Sequence, residues 1–360
     1  MNILELKNIT KKFPESRVPA VNDFNLTVKK GEIAALLGES GCGKTTILRM
    51  IAGFEVPTSG DIFINGDIVS GKGIFQEPQV RKVGIVFQDY ALFPHKTVWE
   101  NITFGLFQMP GTKAKINAEK IIELSGLQGL EKRYPHQLSG GQKQRVALAR
   151  AMAPEPGLIL FDEPFSNIDS FRKNQMREDI RNIIKNTGAT AVFVTHDTRD
   201  VLSIADKVSV IKDGKLMQTD TPDKIYNNPV NAYVANFFGK TNFFKAKISG
   251  KGFETPIGVI KTTDKLPAHL DEVMLSIRPE EFIINNENQD CFCGSIVKER
   301  FMGEYKELTC KVENPDGEDT EIIIHAAPTL NCKQDICYFK PNDGKINILR
   351  DDQELNAGSE

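Results

Sequence analysis

Leu138-Ser139-Gly140-Gly141-Gln142 decides the reading of this chain, because an earlier stretch, Gly38-Glu39-Ser40-Gly41-Cys42-Gly43-Lys44-Thr45, prepares the ground for it. The earlier stretch fits G-x-x-x-x-G-K-[ST], the pattern of a phosphate-cradling loop. Such a loop needs glycines because its backbone N–H groups converge on phosphate oxygens and side chains would stand in the way. Gly38, Gly41 and Gly43 meet that need, and the positions between them, Glu39, Ser40 and Cys42, complete the cradle. Lys44 brings a positive charge to the β- and γ-phosphates, the Thr45 hydroxyl is placed for Mg²⁺, and Thr46 for the α-phosphate. The second stretch has no such lysine. It does set Ser139 and the N–H groups of Gly140 and Gly141 before a helix, which makes an anion site.

Outward from the loop, Glu32 to Leu37 is too apolar for a half-exposed strand and reads as a buried parallel one. Thr45 to Ala52 opens the following helix. Leu158-Ile159-Leu160-Phe161 and Ala191-Val192-Phe193-Val194-Thr195 read as two more buried strands, each ending in polar residues where a parallel sheet carries its site. The first ends in Asp162-Glu163. Asp162 is expected to hold magnesium and Glu163 to orient or deprotonate the attacking water. A carboxylate pair at a strand end is also what a helix N-cap region carries. Between Tyr90 and Ala153 the pattern turns mainly helical, and Asp213-Gly214 between two apolar runs predicts a tight hairpin.

Near residue 240 the texture changes to short β-like runs separated by Gly, Pro, Asn and Asp turns, which predicts a small all-β barrel. The domains so drawn are a phosphate-loop domain over 1–238 with a helical subdomain at about 90–153, an all-β domain over 239–350 and a polar tail over 351–360. A chain of 360 residues suits a large domain plus a smaller one. Its net charge of -3 gives no pull towards nucleic acid or an anionic surface, and no basic, aromatic-rich stripe is visible. No apolar run approaches a membrane span, and the N-terminus alternates like a strand rather than a secretory leader. Cysteine usage points to a reducing compartment. Cys291, Cys293, Cys310, Cys332 and Cys337 match no zinc spacing and read as small buried residues.

Leu138–Gln142 together with the phosphate loop resembles the ATP-binding cassette ATPases. The resemblance implies an α/β P-loop NTPase core with an inserted helical subdomain, followed here by an OB-like domain of the TOBE type. Gln88 resembles the family's Q-loop glutamine, which ligands Mg²⁺. His196 resembles the switch histidine at the γ-phosphate, and Phe13 the aromatic that stacks on adenine, with core packing as its rival. Ser166-Asn167-Ile168-Asp169 resembles the D-loop, with Asn167 and Ile168 as departures; Phe161 stands where the family more often has an aliphatic residue.

In that family Ser139, Gly140, Gly141 and Gln142 close on ATP held by the opposite subunit, so the resemblance implies a homodimer enclosing two ATP. Tyr90 to Val98 resembles the surface on which importer ATPases dock a membrane partner, which places the permease contact near Gln88–Val98. Leu275-Ser276-Ile277-Arg278-Pro279-Glu280 resembles a stretch of the regulatory barrel of importer ATPases, either a dimer brace or a small-molecule sensor. Ala52 to Glu55, the insert from Ser70 to Arg81, Arg133 to His136 and Asp162 to Ser166 resemble bacterial ferric-iron import ATPases; sugar, polyamine, sulfate and phosphonate importers share most of these. The resemblance therefore implies a peripheral ATPase on the cytoplasmic face of the inner membrane. It would work through transmembrane permeases and, indirectly, with a periplasmic or extracellular solute-binding protein.

Overall fold

In a computed structural model, residues 1–166, 168, 170–250, 252–262, 271–285, 291–314, 319–330, 335–342 and 344–349 are described. Asn167 and Asp169 of the D-loop stretch, Cys332 and the tail over 351–360 lie outside the described residues. The chain divides into two compact units, Met1–Pro222 and Asp223–Glu360.

The first unit is built on two sheets. In a six-stranded sheet, Ile33–Gly38 lies between Lys207–Lys212 and Thr190–Thr195, followed by Leu158–Asp162 and Val83–Val86, all parallel. Only the edge strand Lys215–Asp220 runs antiparallel. All six residues of Ile33–Gly38 and of Thr190–Thr195 are buried, as befits parallel strands covered on both faces. The second sheet is antiparallel, with Asn2–Lys11 paired to Val21–Lys29 on one side and Ser59–Ile64 on the other. Helix Lys44–Ala52 shares one core with both sheets: Ile47, Leu48 and Ile51 pack with Leu36, Leu160 and Val194 of the parallel sheet and with Leu4, Leu6 and Ile62 of the other. Each such Leu or Ile side chain contributes about 1.5–3 kcal/mol by leaving water. That burial fixes the helix whose start carries the phosphate loop.

The predicted hairpin forms at Asp213 (φ 48°) and Gly214 (φ 76°), the two left-handed residues of a type I′ turn. It supports the phosphate loop from behind, because the Gly214 N–H donates to the Cys42 carbonyl at 3.1 Å. The helical stretch contains Val98–Thr103, Gly111–Leu124 and Gly140–Met152. Thr97 with Glu100, and Ser139 with Gln142, close capping boxes at the first and last of these.

The second unit is all-β after two short helices, Pro222–Asn227 and Ala232–Phe237. Two five-stranded sheets share one core that includes Phe253, Leu275, Leu308, Ile324 and Phe339. Helix Ala232–Phe237, which the sequence reading assigns to the phosphate-loop domain, clusters here with the β-structure. Arg278 gives the physical reason: its buried guanidinium donates to the Ala235 carbonyl at 2.9 Å and to Thr241 Oγ1 at 2.6 Å, and stacks on Tyr226.

Candidate active site

The strand Ile33–Gly38 delivers the chain to the phosphate loop with almost no freedom. A Cβ on Gly38 would stand 2.4 Å from the Ile211 carbonyl oxygen, and one on Gly43, at φ +104°, 2.4 Å from that of Ala20. Backbone on both sides leaves room for glycine alone. Gly43 is the N-cap of helix Lys44–Ala52 and offers no side-chain cap, so the helix's first N–H groups point into the loop. Glu39, Ser40 and Gly41 are exposed, whereas Cys42, Gly43 and Lys44 are buried. The Lys44 ammonium donates to the carbonyls of Gly38 at 2.8 Å and Glu39 at 2.7 Å, and lies 3.7 Å from Cys42 Sγ. Burial pushes the Cys42 thiol pKa up, against the pull of Lys44.

Thr45 and Asp162 meet across this loop: Oγ1 donates to Oδ1 at 3.4 Å. Burial, and then the neighbouring Glu163, push the Asp162 carboxyl pKa up. Glu163 adopts φ 45°, a left-handed turn for a non-glycine residue. Its N–H donates to the Val194 carbonyl on the adjacent strand at 3.0 Å, which anchors the turn. His196 follows that strand, and its Nδ1 lies 3.2 Å from Glu163 Oε1. Lys44, Thr45, Asp162, Glu163 and His196 thus gather at the carboxyl ends of neighbouring parallel strands. Thr46 is half-buried in the first turn of the helix, and Gln88 is exposed just beyond Val83–Val86. Phe13 is half-buried, with Lys11 Nζ 4.9 Å from its ring centroid.

Hard oxygen donors suit magnesium, which takes one or two carboxylates and fills its other positions with water and phosphate oxygens. The Thr45 hydroxyl, the Asp162 carboxylate and the Gln88 amide are donors of that kind. Among the described residues no group of three or more His, Cys, Asp or Glu side chains is arranged to hold a metal ion. Cys310 and Cys337 are buried, Cys291 is intermediate and Cys293 is exposed.

The Ser139 stretch stands apart from this gathering. Ser139 Oγ accepts from the Gln142 N–H at 3.3 Å and Gln142 Oε1 from the Ser139 N–H at 3.0 Å. Ser139, Gly141 and Gln142 open into a groove of about 290 Å³ shared with Arg145, Gln175, Met176 and Asp179. No residue of the phosphate loop lines that groove among the described residues.

Sequence reasoning missed three side chains that tie these parts together. Gln144, fully buried on the helix after Ser139, donates to the Pro164 carbonyl at 3.0 Å, beside the Asp162-Glu163 turn. Arg150 on the same helix donates to the carbonyls of Tyr90 at 2.9 Å and Ala91 at 2.7 Å. Those two residues are consecutive left-handed positions, at φ 65° and 44°, in the loop after Gln88. Arg177 lies behind His196. No local signal in the sequence marks any of the three, since each is set by a bond to a residue distant in the chain.

Comparison with known proteins bears on this site directly. The family profile described as ABC transporter matches residues 21–166, which include the phosphate loop, Gln88, Leu138–Gln142 and Glu163. The Fe(3+) ions import ATP-binding protein of Vibrio cholerae is 38% identical over 317 residues, covering 86% of this chain and 88% of its own. The chain belongs to the ABC transporter family. A second relative of this ABC protein, the spermidine/putrescine import ATP-binding protein of Clostridium novyi, is 37% identical over 90% of this chain and 91% of its own. The dimeric structure of a post-hydrolysis state of the ATP-binding cassette MJ0796, bound to ADP and Pi, is similar with a TM-score of 0.53 and 31% identity. That similarity covers 61% of this chain and 98% of the other. As an ABC ATPase this chain binds and hydrolyses ATP. Among its described residues no helix is long and apolar enough to cross a membrane.

Proposed function

We propose that the chain is the ATP-hydrolysing subunit of a bacterial ferric-iron importer and works as a homodimer enclosing two ATP. The observation that supports the dimer is the lining of the Ser139 groove: the phosphate loop of the same copy takes no part in it, so that groove is open to a phosphate held by another chain. A second copy of this chain supplies one, and a two-fold arrangement satisfies both sites at once.

In that site Gly38 to Gly43 cradle the phosphates, Lys44 meets the β- and γ-phosphates, Thr46 the α-phosphate, and Phe13 stacks on adenine. Thr45, Asp162 and Gln88 hold magnesium, which neutralises charge on the transferring phosphoryl group. Glu163 orients the attacking water and takes its proton, while His196 fixes the Glu163 carboxylate and contacts the γ-phosphate. Ser139, Gly140, Gly141 and Gln142 of the other copy close over the same phosphate. The ATPase domain carries its helical subdomain at about 90–153, and the OB-like, TOBE-type domain that follows it braces the dimer. A permease docks near Gln88–Val98, beside the exposed Phe87 and Phe104, and holds the subunit at the cytoplasmic face of the inner membrane. A solute-binding protein delivers cargo on the far side.

Mixing tests the composite site. Lys44→Ala and Gly141→Asp chains are each expected to lack turnover. Mixed, they form heterodimers in which the intact phosphate loop of one faces the intact Ser139 stretch of the other, and ATPase activity returns. Mixtures as silent as their components would remove the dimer reading. Relatives named for Fe(3+) import support iron as cargo, and the polyamine relative supports the alternative. Copurifying the membrane subunits and measuring ATP-driven uptake of Fe³⁺ against spermidine in vesicles separates the two.

A further inference from the structure

One buried guanidinium holds the segment that carries His196. Arg177 stands inside helix Ser170–Thr187 with 3% of its side chain exposed. Its Nε and Nη2 donate to Asp200 Oδ1 at 2.8 and 2.6 Å, Nη2 also reaches Asp197 Oδ2 at 3.2 Å, and Nη1 donates to Asn174 Oδ1 at 2.9 Å. The other Asp200 oxygen accepts from Thr195 Oγ1 at 2.7 Å, and that hydroxyl accepts the Asp197 N–H at 3.0 Å. Asp197 Oδ1 then caps the following helix at the Arg199 N–H, 2.8 Å away. Both neighbours of His196, Thr195 and Asp197, are therefore bound into one network that ends on Arg177.

His196 itself is 58% exposed, so packing does not aim its ring. Its direction is inherited from the backbone on either side. A planar fork of donors is suited to gripping two carboxylates at fixed angles, and a lysine ammonium is not. We propose that Arg177 is a positioning residue for ATP hydrolysis: through Asp200, Thr195 and Asp197 it sets the His196 imidazole against Glu163, without touching nucleotide. This rests on His196 acting at Glu163 as proposed above.

The test uses full-length Arg177→Lys and Thr195→Val, the second removing one hydroxyl from the network at nearly constant volume. Both are expected to lower kcat about ten- to a hundredfold, the scale of a small misplacement at a reacting centre. ATP Kd is expected to stay within about twofold of the parent on that account, because the phosphate loop is untouched. Amide exchange read by mass spectrometry should accelerate over residues 195–199 while strand Leu158–Asp162 keeps its protection. Unchanged kcat in either folded variant overturns the proposal. So does a kcat loss matched by lost ATP affinity or by faster exchange throughout the parallel sheet, which is what a merely structural role gives. His196→Ala in the same assay separates the underlying reading: full turnover there ends the role of His196, whereas inactive His196→Ala beside active Arg177→Lys ends only that of Arg177.

Discussion

Glu163 and His196 face each other across the ends of two adjacent parallel strands, Oε1 to Nδ1 at 3.2 Å. The carboxylate is mostly shielded and the ring mostly exposed, at 22% and 58%. A base so placed is held by a neighbour that reaches the solvent side, where a triphosphate bound by the loop would arrive. Glu163→Gln keeps the left-handed turn, the side-chain length and an oxygen towards His196, and removes only the proton acceptor. Turnover is expected to fall by about 10²- to 10⁴-fold, the usual worth of a general base, with ATP binding retained. Phosphate release and equilibrium nucleotide binding on the same preparation check this; ordinary hydrolysis by the variant would end the role given to Glu163.

Phe161 stands where the family resemblance anticipates an aliphatic residue, and its ring is accommodated by stacking. Its ring lies 4.1 Å from that of Phe193 on the neighbouring strand, stacked nearly parallel at 3°, and Phe165 continues the parallel arrangement 6.3 Å beyond Phe193. Phe161 is fully buried. Phe161→Ala opens a cavity directly behind Asp162 and is expected to cost about 3–5 kcal/mol. Phe161→Leu costs less, about 1–3 kcal/mol with partial repacking. Chemical denaturation of the three proteins gives the order; equal midpoints would mean that the stack carries no stability.

Arg81 ends the insert after Ser70 and is 3% exposed. Its guanidinium donates to the carbonyls of Met50 at 2.7 Å, Ile51 at 2.9 Å and Gln76 at 2.8 Å. It thereby closes the last turn of the helix that starts at the phosphate loop. Burial lowers its pKa to about 10, so it stays charged at neutral pH. Arg81→Ala leaves buried carbonyls without donors, at about 1–3 kcal/mol for each group stranded. Arg81→Lys recovers only part, since one ammonium cannot span the same set. A thermal midpoint for Arg81→Ala equal to that of the parent would refute the capping role.

What the sequence discloses follows the range of each interaction. Strand Glu32–Leu37, the helix from Thr45 and the Asp213-Gly214 turn were legible because local patterns determine them: an unbroken apolar run, a glycine-lysine loop and two residues suited to left-handed backbone. Asp162 and Glu163 were nameable because they end a recognisable strand, and His196 through its resemblance to the switch histidine of the family. Gln144, Arg150, Arg177 and Arg81 were not legible. Each makes its decisive bond to a residue far away in sequence, as Arg177 does to Asp200 and Gln144 to Pro164, and nothing local distinguishes such an arginine or glutamine from a solvated one. The same limit explains helix Ala232–Phe237, whose grouping depends on Arg278.

In the β-domain, Lys240 Nζ donates to both Glu307 oxygens at 2.7 Å. These bonds, with Arg300 and His325 adding positive character nearby, hold the Glu307 carboxyl below its usual pKa of 4.5. Folding thus favours the ionised form, and protonating Glu307 is harder in the folded than in the unfolded chain. The stabilisation is present above the unfolded-chain value and is lost as pH falls through the lower, folded one. Glu307→Gln, which keeps the shape and loses the charge, is expected to lower the melting temperature at pH 7. The gap to the parent should close as pH falls below the ordinary carboxylate value of 4.5 and through the lower, folded one. Calorimetry on both proteins across that range decides it: a gap of constant size from pH 7 to pH 3 would assign the effect to lost packing rather than to the ion pair with Lys240.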